Sequence, residues 1–350
     1  MFESLGFEDL TAPQAAVYFA AVIGLAYGIL AERTQFCFRR ALVGEDRRAA
    51  SGVWFTALAF AILGTQAASA AGLVSFDEHR FLTSDLPLAA ILVGGALFGA
   101  GMVLARGCAS RLTVLTGTGN LRALTVLVVF AITAHALLKG VAAPIRTSLG
   151  ALTVPLGDAT SLAALPGGAL TWSAVLIVAA LAVAARSGAR PVTLLGAALI
   201  GLLVPAAWVG TGFVLYDDFD PIAMESLAFT STWADTLFWT VAATSIPAGF
   251  GAGLVGGVLA GGFLSAAAAR RLEWQSFTSP RETGRYFAGA VLMGAGGVLA
   301  GGCTVGAGLA GVPTLGLAAI LALAAIAAGA LATNAALKAT GPGLSLAPAE

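Results

Sequence analysis

Three cysteines are the residues whose placement could carry chemistry. Cys37, Cys108 and Cys303 each stand at or just beyond the end of a glycine-bearing apolar stretch, and none lies in the middle of one. Three scattered cysteines make no disulfide framework, and an odd number leaves at least one thiol free. A buried cysteine is ordinarily a small inert hydrophobe. The shared placement argues for more, because unwound backbone at membrane depth is tolerated where it lines a cavity rather than facing lipid.

The stretches leading to two of these cysteines repeat. Gly94 to Cys108 reads GGALFGAGMVLARGC and Gly289 to Cys303 reads GAVLMGAGGVLAGGC, with ten of fifteen positions identical and Cys108 aligned on Cys303. A weaker echo precedes Cys37, where Gly24 and Gly28 hold the offsets that Gly95 and Gly99 hold from Cys108. Gly-x-x-x-Gly spacing is also a plain helix-packing device. Glycines on both sides of Cys108 and Cys303, with Gly107, Gly301 and Gly302 immediately before them, suit re-entrant loops. Short helices starting there would aim amide N–H groups inward, a natural anion cradle. The expectation is a solute site between the two segments, with an anion as solute.

Charged neighbours admit two readings. Arg39 and Arg40 follow Cys37, while Arg106 and Arg111 bracket Cys108. They serve as topology determinants touching lipid headgroups, or they form an electropositive vestibule for a departing anion. Asn120 closes the loop after Cys108 and is placed to cap the next helix. His135 and Lys139, one turn apart in an apolar segment, are functional candidates on the general rule for intramembrane ionisable groups, although Lys139 can snorkel.

The elements that must position these residues are membrane helices. Apolar residues make up 58% of the 350 positions and charged residues 10%, against roughly 25% charged in a soluble domain. The apolar residues come in blocks of ~20, enough for a helix to cross ~30 Å of hydrocarbon, and the alternation of a β-barrel is absent. The fold class is an all-α polytopic membrane protein. About nine spans are expected near 14–33, 49–74, 86–106, 121–143, 170–186, 191–213, 236–263, 284–302 and 312–337. The whole chain, 1–350, forms one membrane domain, with an N-terminal repeat half at 1–143, a connecting loop at 144–169 and a C-terminal half at 170–350.

An N-terminus outside and a C-terminus in the cytoplasm puts 15 of the 18 basic residues inside, leaving Arg80, Lys139 and Arg146 outside. The acidic loop Asp217, Asp218, Asp220 and Glu225 also falls outside, as the positive-inside rule prefers. The acidic start (Glu3, Glu8, Asp9) does not resemble a signal peptide. The third and eighth spans would then be antiparallel, as in the inverted repeats that build many transporters. No carboxylate falls in the middle of a span, which points away from proton symport. Walker, Rossmann and CxxC patterns are missing, so no cofactor, metal or ATP-driven chemistry is expected. Zero net charge gives no reason to expect a nucleic-acid partner.

Taken together, Phe36-Cys37-Phe38-Arg39-Arg40 after a glycine-bearing first span, Gly99 to Cys108, Gly119-Asn120-Leu121 and Gly301-Gly302-Cys303 resemble the YeeE/YedE family. Its members are bacterial inner-membrane proteins associated with uptake of thiosulfate and other sulfur compounds. The likeness covers most of the chain, with the cysteine motifs as its specific part and 144–235 weakly diagnostic. It implies an hourglass-shaped helical transporter whose cysteines, here Cys37, Cys108 and Cys303, touch thiosulfate in turn through weak S–H···S contacts. It also implies a small sulfur-carrier partner of the TusA type on the cytoplasmic side. Neutral thiols suit a dianion with one soft sulfur, because conduction needs weak multi-site binding and thiolates would repel the ion. The alternatives are a transporter of a selenium compound and a membrane-embedded sulfurtransferase that passes persulfide sulfur to a carrier. A base paired with a cysteine, which such an enzyme would want, is not evident in the sequence.

Overall fold

The computed structural model describes residues 10–217 and 219–339. The acidic residues Glu3, Glu8, Asp9 and Asp218 lie outside the described residues. Among those described, nine helical stretches are long and apolar enough to cross a membrane.

The chain starts with α1 (Ala12–Thr34), opened by a Thr11–Gln14 capping box with Pro13 in its first turn. The short α2 (Phe38–Val43) and α3 (Arg47–Ala70) follow, then α4 (Leu88–Leu104), the short α5 (Ala109–Gly117) and α6 (Leu121–Leu138). After α7 (Ala143–Gly150) come α8 (Gly168–Ala185), α9 (Pro191–Val209) and a π-helical turn at Gly210–Val214. The 12-residue α10 (Ser231–Ala242) precedes α11 (Phe250–Ala268) and α12 (Pro280–Leu299). A π-helical segment, Thr304–Gly311, leads to the last helix, α13 (Leu317–Ala339).

Two expectations need correction. The seventh span is not continuous over 236–263: α10 stops at Ala242, and the spanning helix starts at Phe250. Between them lies Pro247, which lacks the N–H a helix needs, and the residue before a proline is turned away from helical geometry. The segment 144–169 is also more than a loop. It holds most of α7, a 3-10 turn at Leu162–Ala164, and the strand Val154–Pro155, which pairs antiparallel with Asp85–Leu86.

Glycine contacts fix how the spans run. Van der Waals contact between small residues replaces the hydrophobic effect in lipid, so the closest approaches mark the main interfaces. A Cβ at Gly24 would collide with the Leu254 carbonyl, and one at Gly28 with that of Val258. From the other helix, Gly253 meets Val17, Gly257 meets Ala21 and Gly261 meets Leu25. Numbers rise together, so α1 and α11 are parallel and the Gly24/Gly28 pair packs helices. The same reasoning makes α4 parallel to α13 (Gly95 on Ala325, Gly99 on Gly329) and α3 parallel to α9 (Ala57 on Gly201, Gly64 on Pro205). In contrast α4 and α12 are antiparallel, with Gly94 on Ala300, Phe98 on Gly296 and Ala105 on Gly289. Thr34 on Gly196 and Phe19 on Gly210 make α1 antiparallel to α9. Each sense is what strict alternation of nine spans requires.

The contacts also correspond in pairs. The packing of α1 on α11 has its counterpart in α9 on α3, and that of α13 on α4 in α6 on α12. The short helix α2 touches α3 and α13, whereas α10 touches α11 and α6. Likewise α5 rests on α1, α6 and α11, and the segment Thr304–Gly311 on α9, α13 and α3.

Candidate functional site

Each cysteine is held by the same local device. Chain direction changes at a left-handed residue two positions earlier: Gln35 (φ 51°) before Cys37, Arg106 (φ 57°) before Cys108 and Gly301 (φ 75°) before Cys303. The cysteine is then extended and precedes a short helical piece. At the first two breaks the N–H of the residue between closes a six-residue loop, Phe36 to the Ala31 carbonyl and Gly107 to that of Met102, both at 3.1 Å. This is the Schellman ending of a helix. Glycine takes the left-handed conformation without cost only at Gly301. Gly302 is needed for space, since a Cβ there would lie 2.8 Å from the Ala307 amide nitrogen.

Each thiol faces the amide three residues on: Arg40 for Cys37, Arg111 for Cys108 and Gly306 for Cys303. The last is a hydrogen bond, Gly306 N–H to Sγ at 3.3 Å. All three cysteines are free and buried.

The breaks converge. The Cys37 and Cys108 thiols face each other. Cys108 Sγ lies 3.4 Å from Ser110 Oγ and also faces the hydroxyl of Thr304, the neighbour of Cys303. Tyr27 stands among them, 1% exposed, its phenol meeting Ser110 and within electrostatic range of all three thiols. Its ring packs on Phe36 and Phe229, with centroids 6.2 and 5.5 Å away. The main chain of Phe229 in turn faces Cys303. The Thr304 hydroxyl is buried without a hydrogen-bond partner.

The flanking residues divide. Arg111 lies within range of the Cys37 and Cys108 thiols and of Glu32. Glu32 is buried and already held by Arg271 at 2.9 Å and Ser265 at 2.7 Å. Arg39 is 9% exposed and near both thiols, with Arg106 next to it. Arg40 instead turns outward to pair with Asp46. Asn120 caps α6, accepting from the Ala123 N–H at 3.0 Å and donating to Gln275 at 2.8 Å, which ties it to a loop rather than to the thiols. His135 stacks on Phe238 (4.6 Å) and Lys139 pairs with Asp235 (3.1 Å), so both fasten α6 to α10.

At the opposite end a second polar group faces the site. Arg80, in the loop after α3, reaches solvent yet is walled by protein, which disfavours its charged form, and it lies in range of Glu225 and Cys303. Burial raises the Glu225 carboxyl to about 7, with Asp235 pushing the same way and Arg80 opposing. Burial and the Arg80 charge bring neighbouring His79 down to about 4. Its ring lies 5.2 Å from that of Trp208.

Sequence reasoning missed Tyr27, Ser110, Thr304 and the Arg80–Glu225 pair. Ser110 and Thr304 lie within two residues of a cysteine, which was an available signal; Tyr27 had none. Among the described residues no cluster of His, Cys, Asp and Glu could hold a metal ion.

A search of the curated proteins finds no match. The family model described as sulphur transport matches residues 33–332, a stretch that contains all three cysteine breaks. The chain therefore belongs to the YeeE/YedE sulphur transport family, multi-pass membrane proteins that move sulfur compounds.

Proposed function

We propose that the protein takes up thiosulfate, or a close sulfur anion, along a central pathway lined by Cys37, Cys108 and Cys303. One observation carries this reading: three breaks far apart in sequence bring their thiols around Tyr27, with Thr304 and Ser110 between them. Soft thiols suit the terminal sulfur of the anion, and amides and hydroxyls suit its oxygens. Arg80 leads toward Cys303 and Arg111 and Arg39 lead away from Cys37, giving the anion a favourable field at both ends.

The paired contacts support two inverted units, α1 to α6 and α9 to α13, with α7 and α8 between them. On this reading the second half begins at Pro191, not at 170, and the short segments after each cysteine are the re-entrant elements. The orientation is N-terminus outside in a bacterial inner membrane, with a TusA-type carrier receiving sulfur at the arginine-rich end. Gly107, Gly301 and Gly302 give the breaks their shape; no cofactor takes part.

The test is uptake of ³⁵S-thiosulfate by proteoliposomes. Cys37→Ala, Cys108→Ala and Cys303→Ala should each lower the initial rate at normal protein content, and normal rates in all three would end the cysteine pathway. The facing thiols of Cys37 and Cys108 favour one second reading, persulfide transfer. In it a cysteine sulfur attacks the terminal sulfur of thiosulfate, the S–S bond of the anion breaks and sulfite leaves. It therefore predicts a mass increase of one sulfur on the intact protein with sulfite released, whereas the pathway reading predicts neither.

A further inference from the structure

Three guanidinium groups gather where α1 and α4 end and α12 begins. Arg39 is the second residue of α2, Arg106 the left-handed residue before Gly107, and Arg285 lies in the second turn of α12. Arg39 and Arg106 lie within electrostatic range of one another, and Arg285 within range of both. Arg39 and Arg285 lie near Tyr286, which is buried; the Arg285 guanidinium sits 6.0 Å from its ring centroid. None of the three takes part in an ion pair among the described residues. Nε of Arg39, Nε of Arg106, and Nε and Nη2 of Arg285 are buried without hydrogen-bond partners. Glu282 is in range of Arg106 and Arg285, but Arg122 holds it at 3.2 Å and Thr278 donates to it at 2.8 Å.

Like charges held together with unspent donors are costly unless an anion joins them. Guanidinium forks match the paired oxygens of a tetrahedral oxyanion, and they have no preference for a soft sulfur. Arg39 is also within electrostatic range of the Cys37 and Cys108 thiols, so on the proposed pathway this cluster would follow the thiols.

We propose that Arg39, Arg106 and Arg285 form a second binding site, separate from the thiols, for a divalent tetrahedral oxyanion. The site reads charge and shape, and so takes sulfate as well as thiosulfate, leaving discrimination of the soft sulfur to the cysteines. Its occupant is the departing solute, which rests on the transport reading, or the phosphate of an anionic lipid headgroup, which does not.

The probe is ³⁵S-sulfate, bound to full-length protein in nanodiscs of phosphatidylcholine. Saturable binding should weaken by about tenfold or more in Arg39→Gln and in Arg285→Gln, the loss expected for a buried charge-assisted pair. Arg39→Lys should recover much of it, and Arg281→Gln, an exposed neighbour, should bind normally. Arg106→Gln, less deeply buried, serves if Arg39→Gln does not fold. Adding phosphatidylglycerol separates the sources: competition that vanishes in Arg39→Gln assigns the site to a headgroup, and its absence assigns it to the free anion. No saturable sulfate binding, or unchanged binding in both glutamine variants, overturns the site. Cysteine-dependent uptake with arginine-independent binding defeats this site alone. Arginine-dependent binding without thiosulfate uptake defeats the transport reading and leaves the site standing.

Discussion

At the end of α4 the chain reaches Cys108 through Arg106, and at the end of α12 it reaches Cys303 through Gly301, both residues left-handed. Beyond that the two breaks differ. Cys108 opens a regular nine-residue helix, meets the Cys37 thiol and the Ser110 hydroxyl, and has Arg111 within range. Cys303 opens a π-helical segment whose residues are all buried; it faces the main chain of Phe229, with the Cys108 thiol only within electrostatic range. The related ten-of-fifteen sequences thus produce one break whose thiol meets a second thiol beside Arg111, and one lined by main-chain amides with Arg80 within range. On the proposed two-unit reading the third cysteine, Cys37, makes the difference, since the corresponding position in the second unit has no sulfur. On the pathway proposed above, this asymmetry lets the protein bind the anion differently at the two breaks.

The largest effect should separate the two thiols. Cys108 faces both the Cys37 thiol and Thr304, so Cys108→Ala should cut initial uptake by about tenfold or more, equivalent to ~1.4 kcal/mol, and by more than Cys303→Ala does. If Cys303→Ala proves the more damaging in a side-by-side rate measurement, the charged break is not the dominant one.

Backbone strain gives the next contrast. Gly301→Ala places a Cβ in the left-handed region and should destabilise the protein by about 1–2 kcal/mol, read as a lower melting temperature in detergent. Arg106→Gly, at the matching position, relieves that strain and should not lower it. Equal losses in both variants would remove the left-handed turn as a shared constraint.

Single hydroxyls should matter less. Thr304→Val leaves a similar volume and removes the unpartnered hydroxyl facing Cys108, so uptake should fall by about fivefold, the scale of one ~1 kcal/mol hydrogen bond. Serine at 304 should restore it. A valine variant with wild-type rates would show that the solute does not use this hydroxyl.

The smallest effect concerns pH at the Arg80 end. Glu225, raised to about 7, is ionised above that value and neutral below it. As pH falls from 8 to 6 it loses its negative charge, Arg80 loses its counter-charge, and the mouth becomes more attractive to a dianion. The KM for thiosulfate should then fall by about twofold to fivefold, a modest surface-electrostatic effect. In Glu225→Gln the KM should be low and flat across this range. A pH profile unchanged by that substitution would remove Glu225 from the mouth, and pH-gradient-driven uphill accumulation would argue for proton coupling instead.

Nine spans were readable because hydropathy and length report directly on partition into hydrocarbon. The seventh was misplaced because residues 236–263 stay apolar through Pro247, and a hydropathy window does not register a missing N–H. The cysteines were legible by their common place after glycine-rich stretches. Arg40 and Arg39 are adjacent and looked alike, yet one pairs with Asp46 and the other is buried near the thiols. Only the direction in which the short α2 presents each side chain separates them.

The sequence by itself determined the solvent this chain needs, the nine apolar helical stretches found among the described residues, and the three places where a helix stops at a thiol. Those properties depend on local composition and on local backbone geometry. Tertiary structure alone decided which thiols meet, that Tyr27 stands among them, and that the guanidinium groups of Arg39, Arg106 and Arg285 come within range of one another. Such contacts depend on how parallel and antiparallel spans close on their glycines, and no spacing along the chain encodes that distance.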